Sequence, residues 1–417
     1  MNFYDQLEAR NHAEREAWQA EQLPKQVAHA QSSCKPYAIS LAAVNASQVN
    51  TKEALATLPV IRKHELLEIQ QAARLAGGSA FGGFAAQTYG LKMPRVFASP
   101  GPIYEPEGPE VDYWRLGRAI YAAGFRAGDL VHNSFSYHMT PGGLMLESGA
   151  HAVGCTVFPA GIGQTEQQLA AMVDLKPNGY IGTPSFLKIL VEKAQTTNTD
   201  ISSIKKALMG GEAFPPSLRD WFLERGVAGY QCLATADLGL IAYETESRQG
   251  MVVDEGVLVE VVRPGTNEVV PDGEVGELVV TQLTNQLYPL IRFGTGDMTA
   301  ILAGQCPTGR TNQRIKGWMG RADQTTKMRG MFVHPGQVNE IVKRFAEIKR
   351  ARLVVTGQMA QDQITLKVEV NVQAEGLAQR IAETARDVTK LRVNIEACAV
   401  GSLPNDGKVI EDARSYQ

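Results

Sequence analysis

A few groups in this sequence combine residue type and spacing in a way that could support chemistry. Asp297 closes the run PLIRFGTGD, where apolar and β-branched residues lead into glycines. That pattern predicts a strand entering a Gly-x-Gly-Asp turn, with the carboxylate presented at the open end of a sheet, where small ligands bind in α/β proteins. A carboxylate so placed can accept charge-assisted hydrogen bonds from a vicinal diol; an Asp that only stabilises its own turn is the plainer alternative. In GGEAF (210–214), Gly210 and Gly211 would let backbone come close to a planar ring, with Glu212 and Ala213 following. Lys408 stands in SLPNDGKVIEDAR behind a glycine, and Arg321 and Asp323 lie in the polar connector GRADQ. Phe135 and Tyr137, in NSFSYHMTPGG, offer ring surface for stacking, whereas His138 has no partner visible in the sequence.

Positioning such groups takes a sizeable scaffold. At 417 residues the chain exceeds one ordinary core and predicts two or three domains. A hydrophobic share of 44%, a charged share of 20% and a net charge of -3 describe a globular protein without a broad electrostatic footprint for nucleic acid or membrane. No apolar run reaches the roughly 20 residues that cross a bilayer. The acidic, amphipathic N-terminus reads as neither signal nor transit peptide. Five scattered cysteines without a CxxC pair fit a reduced, cytoplasmic setting. Residues 2–31 read as helix broken at Pro24, and Lys52 to Leu75 as a second helix. KMPRVFASPGPIYEPEGP (92–109) reads as a strand running into a Pro/Gly-rich loop, followed by a helix from about Asp112 to Ala123. GCTVFPAG reads as a buried strand. From there to LATADLGLIAYE strands and helices alternate, the rhythm of an α/β sheet. Valine-rich strands with tight turns from about Gly250 predict a small antiparallel unit, and residues beyond the GRADQ connector a small α+β domain.

Taken together and in this order, NSFSYHMTPGG, GCTVFPAGIGQTEQQ, TPSF, GGEAF, PDGEVGELVVTQLTNQLYPLIRFGTGD, GRADQ and LPNDGK resemble the phenylacetate–CoA ligase family of the adenylate-forming superfamily. The resemblance covers nearly the whole chain. It implies an adenylate-forming α/β fold: an N-terminal domain, 1–322, that binds AMP and the acyl group, and a mobile C-terminal α+β domain, 323–417. It further implies ATP, Mg²⁺ and coenzyme A as cofactors and a small aromatic acid as substrate, with a homodimer as an open expectation. Asp297 and Arg321 would hold ribose and phosphate, and Gly210, Gly211, Glu212, Ala213 and Thr235 would lie along the nucleotide. Asp323 would be the hinge. Lys408 would stabilise charge on the transferring phosphate. Phe135, Tyr137 and Gly142 would shape the acyl pocket.

Two departures fall on the nucleotide site. The family's hydroxyl-rich phosphate loop ending in lysine corresponds here to ASPGPIYEPEGPE (98–110). It keeps Ser99 and Gly101, lacks the lysine, and gains Glu105, Glu107 and Glu110, which must turn outward or hold Mg²⁺. In LATAD (233–237), Leu233 replaces an adenine-stacking tyrosine, and Asp237 replaces the Mg²⁺-binding glutamate with a shorter reach. The segment 240–256 contains no Cys or His, so no structural zinc is expected. The resulting expectation is an ATP-dependent acid–thiol ligase. The alternatives are a non-ligase that binds nucleotide or acyl groups with a degenerate phosphate loop, and an adenylating enzyme with a non-CoA acceptor.

Overall fold

Strands that read as continuous apolar runs lie where both faces are covered. Gly179–Gly182 is buried throughout, and Lys206–Met209 nearly so. They sit inside a nine-stranded sheet ordered Ile301–Leu302, Arg314–Ile315, Met251–Val253, Gly239–Glu244, Ala228–Thr235, Lys206–Met209, Gly179–Gly182, Leu130–Asn133, Thr156–Pro159. The last five are parallel, and pairing turns antiparallel from Ala228–Thr235 onward. Helices Gly142–Val153, Thr165–Leu175 and Pro184–Thr196 make the crossovers that parallel pairing requires. Local chemistry sets their ends: Gly154 closes the first in the left-handed region at φ 91°. Thr183 caps the third, with Pro184 in its first turn. A second sheet of four strands places Phe293–Thr299 between Ile61–Arg62 and Gly276–Gln282, with Val257–Val262 outermost.

This computed structural model describes residues 3–99, 102–322, 326–328, 331–333, 335–357, 363–371, 375–404 and 408–413. Gly101 and Asp323 lie outside them. The chain divides into two compact units. One comprises 1–295 and 300–318; the other comprises 296–299 and 319–417. The second has its own core, with Val338, Ile341, Leu353, Leu366 and Ile381 buried between helices Pro335–Lys343 and Leu377–Thr389 and a four-stranded sheet. That sheet runs Asn394–Cys398, Gln363–Val370, Ile348–Thr356, Ile410–Asp412.

Several elements differ from expectation. Helix His12–Ser33 continues through Pro24; one lost backbone bond is outweighed by burial of Leu23, Val27 and Ala30. The stretch 52–75 is two helices, Lys52–Ala56 and Lys63–Leu75, separated by Pro59 and the short strand Ile61–Arg62. Thr156–Pro159 is an edge strand whose residues are partly exposed, not a buried one. The valine-rich region is not a separate antiparallel unit: Met251–Val253 joins the nine-stranded sheet, and the following strands join the four-stranded one. The first helix after the 92–109 stretch begins only at Gly117.

Candidate active site

The expected Pro/Gly loop is a hairpin. Arg95–Ser99 pairs with Ile103–Glu107, Ser99 opposite Ile103 and Arg95 opposite Glu107. Pro106 is tolerated because each strand of a two-stranded ribbon has one edge without a ladder partner. The acids are therefore spent. Glu107 pairs with Arg95 at 2.9 Å, and Glu110 is exposed. Glu105 is fully buried and accepts from the Ser99 hydroxyl at 2.5 Å and the Ser99 N–H at 3.2 Å. Gln70, on helix Lys63–Leu75, clamps the hairpin through the Tyr104 carbonyl and N–H, both at 2.9 Å. Burial first, and the Asp237 carboxylate second, push Glu105 up to about 8.

Asp237 stands in the turn between Ala228–Thr235 and Gly239–Glu244, where Leu238 N–H donates to Thr235 Oγ1 at 3.2 Å. Gly239, at φ 73°, lies so close to the Trp114 carbonyl that an added Cβ would sit 2.6 Å from its oxygen. The Asp237 carboxylate is buried. Its Oδ2 accepts from Lys63 Nζ at 2.6 Å, and Oδ1 has no partner among the described residues. An orphaned carboxylate oxygen beside a second buried acid is costly, and it fits a hard cation completed by phosphate oxygens and water. Mg²⁺ would be held by Asp237, neutralising phosphate charge when bound. Lys63, 174 positions from Asp237, was not found from the sequence, where no motif marks it.

The glycines and aromatics meet in the same unit. The Phe135 ring lies on Gly210, Gly211 and Gly142, at 3.4 to 3.6 Å from where a Cβ would stand on each. Gly211 is left-handed at φ 78°. Tyr137 Oη donates to Glu147 at 2.7 Å and accepts from Asn133 Nδ2 at 2.8 Å. Glu212 accepts from the Ser185 N–H at 2.6 Å, and Ala213 is exposed. His138 is exposed; its backbone N–H donates to Ser136 Oγ at 3.1 Å and its carbonyl accepts from the Thr140 N–H at 2.7 Å.

In the second unit Asp297 belongs to the strand Phe293–Thr299, so the expected turn at a strand end is corrected: Gly294 to Asp297 are themselves strand residues. Asp297 faces Arg321 across an isolated antiparallel bridge, with Nη1 3.1 Å from Oδ1. Gly296 suits the left-handed backbone there, φ 75°, which residues with a side chain rarely adopt. Lys408 is exposed and lies two residues before the edge strand Ile410–Asp412.

Residues 117–285 match the AMP-binding enzyme family and 330–412 its C-terminal domain. Phenylacetate-coenzyme A ligase of Thermus thermophilus is 32% identical over 73% of this chain and 73% of its own length. That of Aromatoleum evansii is 29% identical over 94% and 92%. The chain belongs to the phenylacetate–CoA ligase family. A solved 2-hydroxyisobutyryl-CoA ligase, in complex with 2-HIB-AMP and CoA, shares the fold at TM-score 0.84. It is 23% identical and matches 99% of this chain and 95% of that one. Within this phenylacetate–CoA ligase family member, no described helix is long and apolar enough to cross a membrane. No group of three or more His, Cys, Asp or Glu that could hold a metal occurs among the described residues. All five cysteines are free.

Proposed function

We propose that this protein is an ATP-dependent ligase that activates an aromatic or arylacetic acid as its acyl-adenylate and transfers the acyl group to coenzyme A. The observation that carries this reading is the likeness to a phenylacetate-coenzyme A ligase over 94% of the chain. In the first half-reaction a carboxylate oxygen of the acid attacks the α-phosphorus, forming a P–O bond as pyrophosphate leaves. Charge grows on the transferring oxygens, and the Lys408 ammonium stabilises it. In the second, the CoA thiol loses its proton and attacks the acyl carbon, and AMP departs. Asp297, aligned by Arg321, accepts from the ribose hydroxyls. Asp237 carries Mg²⁺ with the nucleotide, and its unpartnered Oδ1 supports that role. The acyl group lies beside Phe135 and Tyr137, and Gly142 leaves room for the Phe135 ring. Asp323, just past the start of the 319–417 segment, is the pivot between the two half-reactions.

Exchange of labelled pyrophosphate into ATP across benzoate, phenylacetate, hydroxybenzoates and short aliphatic acids, with Mg²⁺ supplied, tests this. Exchange with at least one arylacetic or aromatic acid, and its CoA thioester on adding CoA, is expected. Exchange with none of them would overturn it.

A further inference from the structure

Lys408 lies on a short segment whose two ends are tied to the second unit's sheet by side chains that the family motifs do not contain. Upstream, the turn 399–402 is closed by Ser402, whose N–H and hydroxyl donate to the Ala399 carbonyl at 3.1 and 2.7 Å. Gly401 takes the left-handed conformation, φ 84°, that this turn needs. Leu403 is then fixed from both sides of its peptide. Its N–H donates to Glu369 Oε1 at 2.8 Å, and its carbonyl accepts from Arg350 Nη1 at 3.2 Å. One residue on, the Pro404 carbonyl accepts from Arg352 Nη2 at 3.1 Å. Downstream, the Val409 carbonyl accepts from Leu353 N–H at 2.9 Å, and Ile410–Asp412 pairs in parallel with Leu353–Val355. Arg352 spans both ends, since its Nη1 also reaches Glu411 Oε2 at 3.2 Å.

Glu369 and Arg352 are each less than 5% exposed although charged. Burying a charge is unfavourable unless its hydrogen bonds are made; Glu369 accepts from the Leu403 N–H, and Arg352 donates to the Pro404 carbonyl and to Glu411, all beside Lys408. The N–H groups of Leu403 and Gly401 hold the Glu369 carboxyl below its ordinary value.

We propose that Glu369 and Arg352, assisted by Arg350, are positioning residues for acyl-adenylate formation, fixing the two ends of the Lys408 segment so that its ammonium is delivered at a set place. This rests on the reading of Lys408 as the adenylation lysine. A misplaced catalytic group costs about 100-fold in rate even when the substitution is remote from the chemistry. Glu369 and Arg352 are buried and bond to Leu403, Pro404 and Glu411, so as positioning groups their loss belongs in kcat for the first half-reaction.

The test uses the full chain with the acid giving the highest wild-type exchange. Glu369→Ala and Arg352→Met are expected to lower kcat for pyrophosphate exchange about 100-fold, with KM for ATP changed less than about threefold. Thioester formation from supplied acyl-adenylate and CoA should stay within about twofold of wild type, which also shows the unit to be folded. Glu369→Gln, which keeps an acceptor for Leu403 N–H, should recover most of the exchange. Lys408→Ala serves as the reference. If it impairs exchange while Glu369→Ala and Arg352→Met do not, the positioning inference falls alone. If Lys408→Ala leaves exchange intact, the reading of Lys408 falls, and the inference with it. Loss of both half-reactions together in Glu369→Ala and Arg352→Met would overturn the positioning role in favour of a purely structural one.

Discussion

Asp237 is the residue on which the chemistry and the fold press hardest against each other. Its carboxylate is buried, one oxygen is taken by Lys63 at 2.6 Å and the other has no partner among the described residues. Replacing Lys63 with methionine would leave that charge in the protein without its cation. Lys63 is partly solvated, so the expected cost is about 2 kcal/mol, below that of breaking a fully buried pair, read as a shift in the urea midpoint at pH 7. Asp237→Asn should behave oppositely: stability is retained or raised, while pyrophosphate exchange falls about 100-fold and needs more Mg²⁺ to saturate. Unchanged Mg²⁺ dependence in that variant would remove Asp237 from the metal site. Of this pair, Asp237 was legible because its neighbours LATAD carry a family pattern. Lys63 was not, because an ion pair joining residues 174 positions apart leaves no local trace. The same holds for Glu105, whose acid character was legible but whose burial against Ser99 follows from the hairpin register.

At the scale of elements, the strand–helix alternation from GCTVFPAG to LATADLGLIAYE was legible because it is written in apolar runs, while strand Leu130–Asn133 was not read from the sequence. Periodicity failed at 95–107, where prolines and a glycine mask a hairpin held by Gln70 from another helix. It also failed at the start of the next helix, where Asp112 supplies the reason. Its two oxygens accept from the Leu116 and Gly117 N–H groups, each at 2.8 Å, so the helix begins five residues later than the acid. Burial is the main cause that pushes the Asp112 carboxyl up to about 6, from an ordinary 3.8. The neutral form is thus favoured in the folded chain. Its contribution to stability is complete below about pH 4 and is lost as pH rises to about 6, because the unfolded chain releases the proton first. Wild type should therefore lose roughly 2 kcal/mol relative to Asp112→Asn between pH 4 and 7, measured by urea unfolding at each pH. A flat difference across that window would mean that Asp112 is ionised in the fold throughout.

The whole molecule is two compact units, 1–295 with 300–318 and 296–299 with 319–417, where the sequence alone predicts domains 1–322 and 323–417. What composition could not reveal is that 296–299, in the middle of one strand, group with 319–417. Strand Phe293–Thr299 begins in the four-stranded sheet, where Phe293 pairs with Ile61, and its later residues bond within the second unit, Met298 N–H to the Gly320 carbonyl and Met319 N–H to the Met298 carbonyl. The ribose-binding acid proposed here, Asp297, is thereby carried by the same unit as Arg321 and Lys408. If one lysine serves adenylation and must then yield to the thiol, the backbone at the proposed pivot, Asp323, has to change its angles between the half-reactions, and a residue there that cannot do so would trap one state. Proline at 323 fixes φ near −65°. Asp323→Pro is therefore expected to separate the half-reactions: pyrophosphate exchange within about threefold of wild type, and thioester formation from supplied acyl-adenylate lower by about 100-fold, or the reverse if the fixed angle suits the second state. Equal activity in both, with wild-type rates, would show that the two half-reactions need no pivot at Asp323 and would move the search for it to the strand shared by the two units.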